Sequence, residues 1–177
     1  MTAATDHDRV IALLGRAPAG DYEVVVRDAA GDPVVLRNAP LLHDGTPMPT
    51  RYWLVGKEAT LLVSRLEAAG GVRRAEAEVP AEEIAAAHAR YAAEREAALP
   101  AGHAGPRPSA GVGGTRQGVK CLHAHYAWFL AGGVADHHLV VARRGAAQER
   151  DDAIVVRCRG HRAAGVTCAG GAGAAAG

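Results

Sequence analysis

Lys120–Leu130 reads KCLHAHYAWFL, and whether this stretch is a strand or a helix decides both the fold and the chemistry. As a strand, it would put Cys121, His123 and His125 on one face at period two, in the manner of His-x-His metal sites. The places where one such pattern continues with Asp and His hold Ala127 and Trp128 instead, and Asp136-His137-His138 lies beyond a double-glycine break. As a helix, Val119, Leu122, Tyr126, Phe129 and Leu130 form a continuous apolar stripe. Ala124, Ala127 and Ala131 are good helix formers, and Gly132-Gly133 supplies a stop. The spacing and end signals predict a helix over Gly118–Ala131.

In that helix Cys121 and His125 stand four residues apart on one face, while His123 points away. The pair supplies at most two zinc ligands, and zinc takes three or four. His43, Asp44 and His88 would have to complete the set, and nothing in their spacing singles them out. The plainer expectation is that Cys121 packs as a small buried hydrophobe and His125 hydrogen-bonds a neighbouring strand or loop. Cys121 and His125 are thus the candidates for thiol or metal-assisted catalysis. No cofactor is predicted, and zinc is disfavoured.

Upstream lies a glycine-rich loop. Gly111, Gly113, Gly114 and Gly118 let backbone amides approach a ligand, and Arg116 and Lys120 add positive charge where the helix opens. Such a junction can bind an anion. The predicted ligand-binding set is Gly113, Gly114, Thr115, Arg116, Lys120 and Arg51, with Arg37 as a further supporting cation. The spacing is neither that of a phosphate-binding G-x-x-x-x-G-K-[ST] loop nor that of a dinucleotide fingerprint after a strand.

Working outward, Thr5 or Asp6 can cap a short helix to about Gly15, with Val10, Leu13 and Leu14 on one face. Tyr22–Arg27 (YEVVVR) and Val34–Arg37 (VVLR) flank the turn Ala30-Gly31-Asp32-Pro33 and form a hairpin. Asp44-Gly45 marks a turn, with Asp44 a turn former rather than a catalytic acid. Arg51–Val55 (RYWLV) is a third strand, expected at the centre of the core. Glu58–Ala69 is a helix stopped by Gly70, and a second helix starts at Pro80 and runs to about Leu99. Its inward stripe is Ile84, Ala87 or His88, Tyr91 and Ala98, with Arg90 and Glu94 as an exposed i,i+4 pair worth only ~0.3–0.5 kcal/mol. The fold class is therefore α+β, a small three-stranded antiparallel sheet packed with three to four helices.

At 177 residues the chain has the length of about one domain. Residues 1–133 form that domain, and 134–177 read as a low-complexity extension, partly disordered from Gly160 on. Aromatics are only 4 %, so the large side chains must gather in few segments. A net charge of +1 argues against a dedicated nucleic-acid binder, and no apolar run approaches the ~18 residues of a membrane span. The acidic N-terminus does not resemble a signal peptide, and three irregularly spaced cysteines do not form a disulfide framework. The expected location is cytoplasmic.

Three blocks carry a resemblance. DGTPMPTRYWLVG (Asp44–Gly56), SRLEAAGGV (Ser64–Val72) and GVGGTRQGVKCLHAHYAWFLAGG (Gly111–Gly133) are similar, in order and spacing, to the actinobacterial domain-of-unknown-function family 501. The resemblance implies a bacterial cytoplasmic protein of unassigned activity. It also implies genes near those for cell-division initiation, enolase and exopolyphosphatase. Relatives carry a Cys-Pro-Cys-Gly turn where this chain has Asp28-Ala29-Ala30-Gly31, and some a cysteine near Gly56. Of that implied thiolate set only Cys121 is present here. The tail departs from the family's short ending, with strands at His138–Arg143 and Ile154–Arg157. It reads as an extension, even an out-of-frame one, in which Cys158, Cys168 and His161 carry no function. Three functions follow as expectations. The first is a binding module for a phosphate- or carboxylate-bearing ligand, or an acidic partner segment, at 111–125. The second is an enzyme using Cys121 or His125. The third is an interaction protein linked to cell division, with Trp128 or Phe129 as exposed anchors.

Overall fold

The computed structural model describes residues 4–132; the C-terminal extension and its expected strands, cysteines and His161 lie outside the described residues. The chain runs α1 (Asp6–Leu14), β1 (Tyr22–Arg27), β2 (Pro33–Asn38), β3 (Tyr52–Leu54), α2 (Lys57–Ala68), α3 (Gly71–Glu78), α4 (Ala81–Ala97), a 3₁₀ turn at Val112–Gly114, and α5 (Leu122–Leu130). The α+β class with a three-stranded antiparallel sheet is as expected, with five α-helices among the described residues.

Local signals account for the N-terminal half. Thr5 caps α1 in a reciprocal box: its hydroxyl accepts from the Asp8 amide at 3.2 Å while the Asp8 carboxylate accepts from the Thr5 amide at 3.0 Å. Gly15, at φ 70°, ends the helix. The hairpin turn is closed by Asp28, whose Oδ1 accepts from the amides of Ala30 (2.9 Å) and Asp32 (2.8 Å).

The sheet order is β1-β2-β3, so β3 is an edge strand and β2 the centre, and Tyr52 and Val55 of RYWLV are buried in the core as expected. Val35 and Leu36 of β2 are both 0 % exposed. Successive strand residues point to opposite faces, so both faces of β2 are covered. Leu36 packs with Val10 of α1 and Val55. Val35 packs with Tyr52, Tyr91 and Trp128 on the side of α4 and α5. A strand covered on both sides reads as an unbroken apolar run rather than an alternating one, which is why PVVL lacks polar interruptions. A third core cluster joins α2, α3, α4 and α5 through Val63, Leu66, Ala75, Ile84 and Leu122.

Three further differences matter for the site. Helix α3 was not anticipated, because GVRRAEAE offers only scattered small apolar residues. The chain turns at Gly70 (φ 82°) and packs Gly71 so tightly that a Cβ there would lie 2.7 Å from the Leu66 carbonyl oxygen. Helix α5 starts at Leu122 rather than Gly118, leaving Cys121 as its N-cap. On α4, the exposed Arg90–Glu94 pairing gives way to an inward role for Glu94. It accepts from Arg51 Nε (3.2 Å), from the Tyr52 hydroxyl and from Trp128 Nε1 (2.9 Å).

Arg95, absent from the expected inward stripe, is 2 % exposed. Its guanidinium donates to the carbonyls of Pro49 (2.7 Å), Pro108 (3.2 Å) and Ala110 (2.7 Å), and burial lowers its pKa. One side chain thus ties two loops to α4. Replacing it with Met keeps the packing stem but leaves those carbonyls without their donor. Arg95→Met is expected to lose about 2–4 kcal/mol of stability, read as a lower urea midpoint at unchanged slope.

Candidate functional site

The segment from Gly111 to Leu122 is a closed structure. Gly111 donates to the Thr115 carbonyl (2.7 Å), Gly114 to that of Gly111 (3.1 Å), and Thr115 to that of Val112 (3.4 Å). Gly113, Gly114 and Gly118 have φ of 65°, 77° and 62°, a region costly for other residues. His88 of α4 staples the loop from beneath. Its Nδ1 accepts from the Val112 amide at 3.0 Å. That acceptor role leaves the ring hydrogen on Nε2, which donates to the Gly118 carbonyl at 2.9 Å. His88 is therefore a loop clasp rather than a member of a metal set.

The junction of loop and helix already holds anions, and they are the protein's own. Glu76 of α3 accepts from the Val119 amide at 2.8 Å. Glu67 of α2 accepts from the Leu122 amide at 2.5 Å. The same Glu67 oxygen lies 3.1 Å from His123 Nδ1, and His123 Nε2 lies 3.2 Å from Ser64 Oγ. An external anion at these two amides would have to displace a tethered carboxylate.

Of the expected ligand residues, Gly113 lies against Lys120, an added Cβ there falling 3.8 Å from the Lys120 Cβ. Arg116 and Lys120 are exposed, and the Thr115 hydroxyl donates to the Gln117 carbonyl at 2.8 Å. Arg51 is committed to Glu94 and to the Asn38 carbonyl (3.3 Å), with its guanidinium 5.9 Å from the Tyr52 ring centroid. Arg37 pairs with Glu23 across the hairpin. Asp44 accepts from the Thr46 amide at 2.8 Å, a bond that lowers its pKa and marks a turn former.

Cys121 stands as the N-cap of α5 and His125 inside that helix. Burial pushes the Cys121 thiol above its ordinary value, more than the Ala124 amide and Lys120 draw it down. His125 is buried, with its ring 6.1 Å from that of His88. Among the described residues no group of three or more His, Cys, Asp or Glu side chains is placed to hold a metal ion. Trp128 is 2 % exposed and Phe129 half-buried, so the indole is a core strut rather than a surface anchor.

A cavity of about 400 Å³ opens elsewhere, between α1, the hairpin turn and the first turn of α2. Arg9, Leu13, Asp28, Asp32, Val34 and Lys57 are among its lining. Gly56 is also among its lining, and Cys121 is not. Sequence reasoning missed this place because its residues come from three distant segments. It also missed Ser64, Glu67 and Glu76; the one readable signal was Ser64-x-x-Glu67, which shares a helical face.

The structure defines a small α+β protein whose glycine-rich loop is clasped by its own helices. The chain belongs to the family described as a protein of unknown function (DUF501), which matches residues 24–144 and so spans all three sequence blocks. No curated protein and no solved structure matches it. No helix among the described residues is long and apolar enough to cross a membrane.

Two measurements check this site. A Cβ at Gly111 would lie 2.4 Å from the His88 ring, so Gly111→Ala should lose about 1–3 kcal/mol in urea unfolding. The raised Cys121 pKa means that its thiolate forms only above the ordinary 9.0. Its contribution to stability is present in full below that value and is lost as pH rises through the folded-state value. Iodoacetamide should modify Cys121 in the native protein at least about tenfold more slowly than in the unfolded chain at neutral pH, followed on the Cys121 peptide by mass spectrometry. Equal rates would make it an accessible, activated thiol.

Proposed function

We propose that the protein is a small binding module and that its ligand occupies the cavity between α1, the hairpin turn and α2. The observation that carries this reading is the lining. A volume of about 400 Å³ falls within the usual range for small-molecule sites. Leu13, Pro33 and Val34 supply an apolar wall, and both charge signs stand on the rim. The first turn of α2 contributes Gly56, Lys57, Glu58 and Ala59 and carries no side-chain cap. A carboxylate or phosphate facing Lys57 is favoured there by charge and by the helix dipole. Asp28 lines the same cavity beside Asp32, which is paired with Arg9 at 3.0 Å, and suits a cationic group. The ligand class is therefore a small zwitterion with an apolar body. The anionic end is the one anticipated for the glycine loop, where Glu67 and Glu76 would compete with it.

Thermal-shift measurements with leucine, a leucyl dipeptide, phosphoethanolamine and inorganic phosphate test the reading. A ligand at a hundredfold excess over its Kd stabilises by about 2.7 kcal/mol, several degrees in Tm. At least one zwitterion should produce such a shift, phosphate alone a smaller one, and Lys57→Glu should abolish it. Absence of any shift, or an unchanged shift in Lys57→Glu, would remove the proposal. Loss of the shift in Arg116→Ala or Lys120→Ala, with Lys57→Glu unaffected, would return the site to the loop.

A further inference from the structure

Ser64 and Glu67 stand three residues apart on α2 and share one face; His123, in the first turn of α5, comes down onto both. Glu67 Oε1 lies 3.1 Å from His123 Nδ1, and His123 Nε2 lies 3.2 Å from Ser64 Oγ. An ionised carboxylate only accepts hydrogen bonds. The Glu67–His123 approach is a charge contact without the angle of a hydrogen bond; with the ring hydrogen on Nδ1, beside that carboxylate, Nε2 presents its lone pair to the serine hydroxyl. The order is nucleophile, base, orienting carboxylate, the relation that activates a serine in acyl transfer whatever the fold. The Leu122 amide, 2.5 Å from the same carboxylate oxygen, holds the carboxylate in place. Ser64 is exposed, so an acyl group can reach it, while the side chains of His123 and Glu67 retain only 27 % and 25 % of their exposure.

We infer that Ser64, His123 and Glu67 form an esterase-type site acting on activated acyl compounds, aryl esters or thioesters. This inference is independent of the ligand assigned to the α1–α2 cavity. Ser64 Oγ bonds to the acyl carbon as its proton passes to His123 Nε2. The bond to the leaving oxygen or sulfur then breaks, and that atom takes the proton from His123. Water, deprotonated by His123, next attacks the acyl-serine, releasing the carboxylic acid and restoring the hydroxyl. Ser64 and His123 touch the reacting atoms, and Glu67 is a positioning residue. The Val119 and Leu122 amides are taken by Glu76 and Glu67 and are not available to a developing oxyanion. Substrates with good leaving groups need that stabilisation least, which sets the substrate class.

The test uses the full chain with a fluorophosphonate probe and p-nitrophenyl acetate. The folded protein should carry the phosphonyl group on Ser64, located by peptide mass spectrometry, and the urea-unfolded protein should not. Ser64→Ala removes one surface hydroxyl and should lower p-nitrophenol release by about a hundredfold or more at unchanged Tm. Glu67→Gln should lower kcat with KM unchanged, an outcome that a merely structural bond between α2 and α5 does not produce. Since Glu67 also holds Leu122, Ser64→Ala decides the matter if Glu67→Gln fails to fold. An unlabelled Ser64, or a Ser64→Ala protein as active as the wild type, overturns the inference.

Discussion

The inner face of α4 is polar where a core helix is usually apolar, and the rest of the molecule depends on that. Buried irregular backbone needs hydrogen-bond partners, and two long irregular stretches cross this helix. Tyr91 accepts from the amides of Arg51 (2.6 Å) and Tyr52 (3.4 Å), and burial pushes its pKa up to about 12. Arg95 serves the carbonyls of Pro49, Pro108 and Ala110. His88 serves Val112 and Gly118. Glu94 joins Arg51, Tyr52 and Trp128. Strand β3 and the glycine-rich loop are both held by this single row of side chains, four residues or fewer apart.

The glycine-rich loop follows from the same constraint. Its glycines are needed for positive φ at Gly113, Gly114 and Gly118 and for close approach to His88 at Gly111. Its cationic and dipolar character is real, but the acidic side chains of α2 and α3 answer it. A motif that looks like an open anion cradle in one dimension is an internal lock in three. The lock brings Glu67 to His123, whose other ring nitrogen lies 3.2 Å from Ser64 Oγ. Charge that neutralises a helix start also brings Ser64, His123 and Glu67 together.

The proposed ligand cavity thus separates from the segment that first draws the eye, whereas the proposed Ser64 cluster keeps His123 of it. The cavity lined by Arg9, Asp28 and Lys57 uses residues from α1, the hairpin turn and α2, each unremarkable alone. The Ser64–His123–Glu67 cluster uses residues from two of the blocks by which the family was recognised. Of the most chemical residues of the same block, His125 is buried and Cys121 half-buried, with its thiol pKa raised by burial.

Sequence alone determined whatever is set within one turn or one strand. Thr5 with Asp8 and Gly15 bounded α1, Asp28 closed the hairpin, the β-branched runs marked β1 and β2, and the three blocks carried the family. These features rest on neighbours in the chain, so their physics is visible along it. Only tertiary structure decided the rest. It put β3 at an edge, folded GVRRAEAE into α3 against Leu66, buried Arg95, and gave the loop amides to Glu67 and Glu76. Each of these outcomes, the turn of α3 onto Leu66 apart, is a competition for a hydrogen bond or a buried volume between groups more than ten residues apart. A sequence records that such groups exist, but not which of them meet.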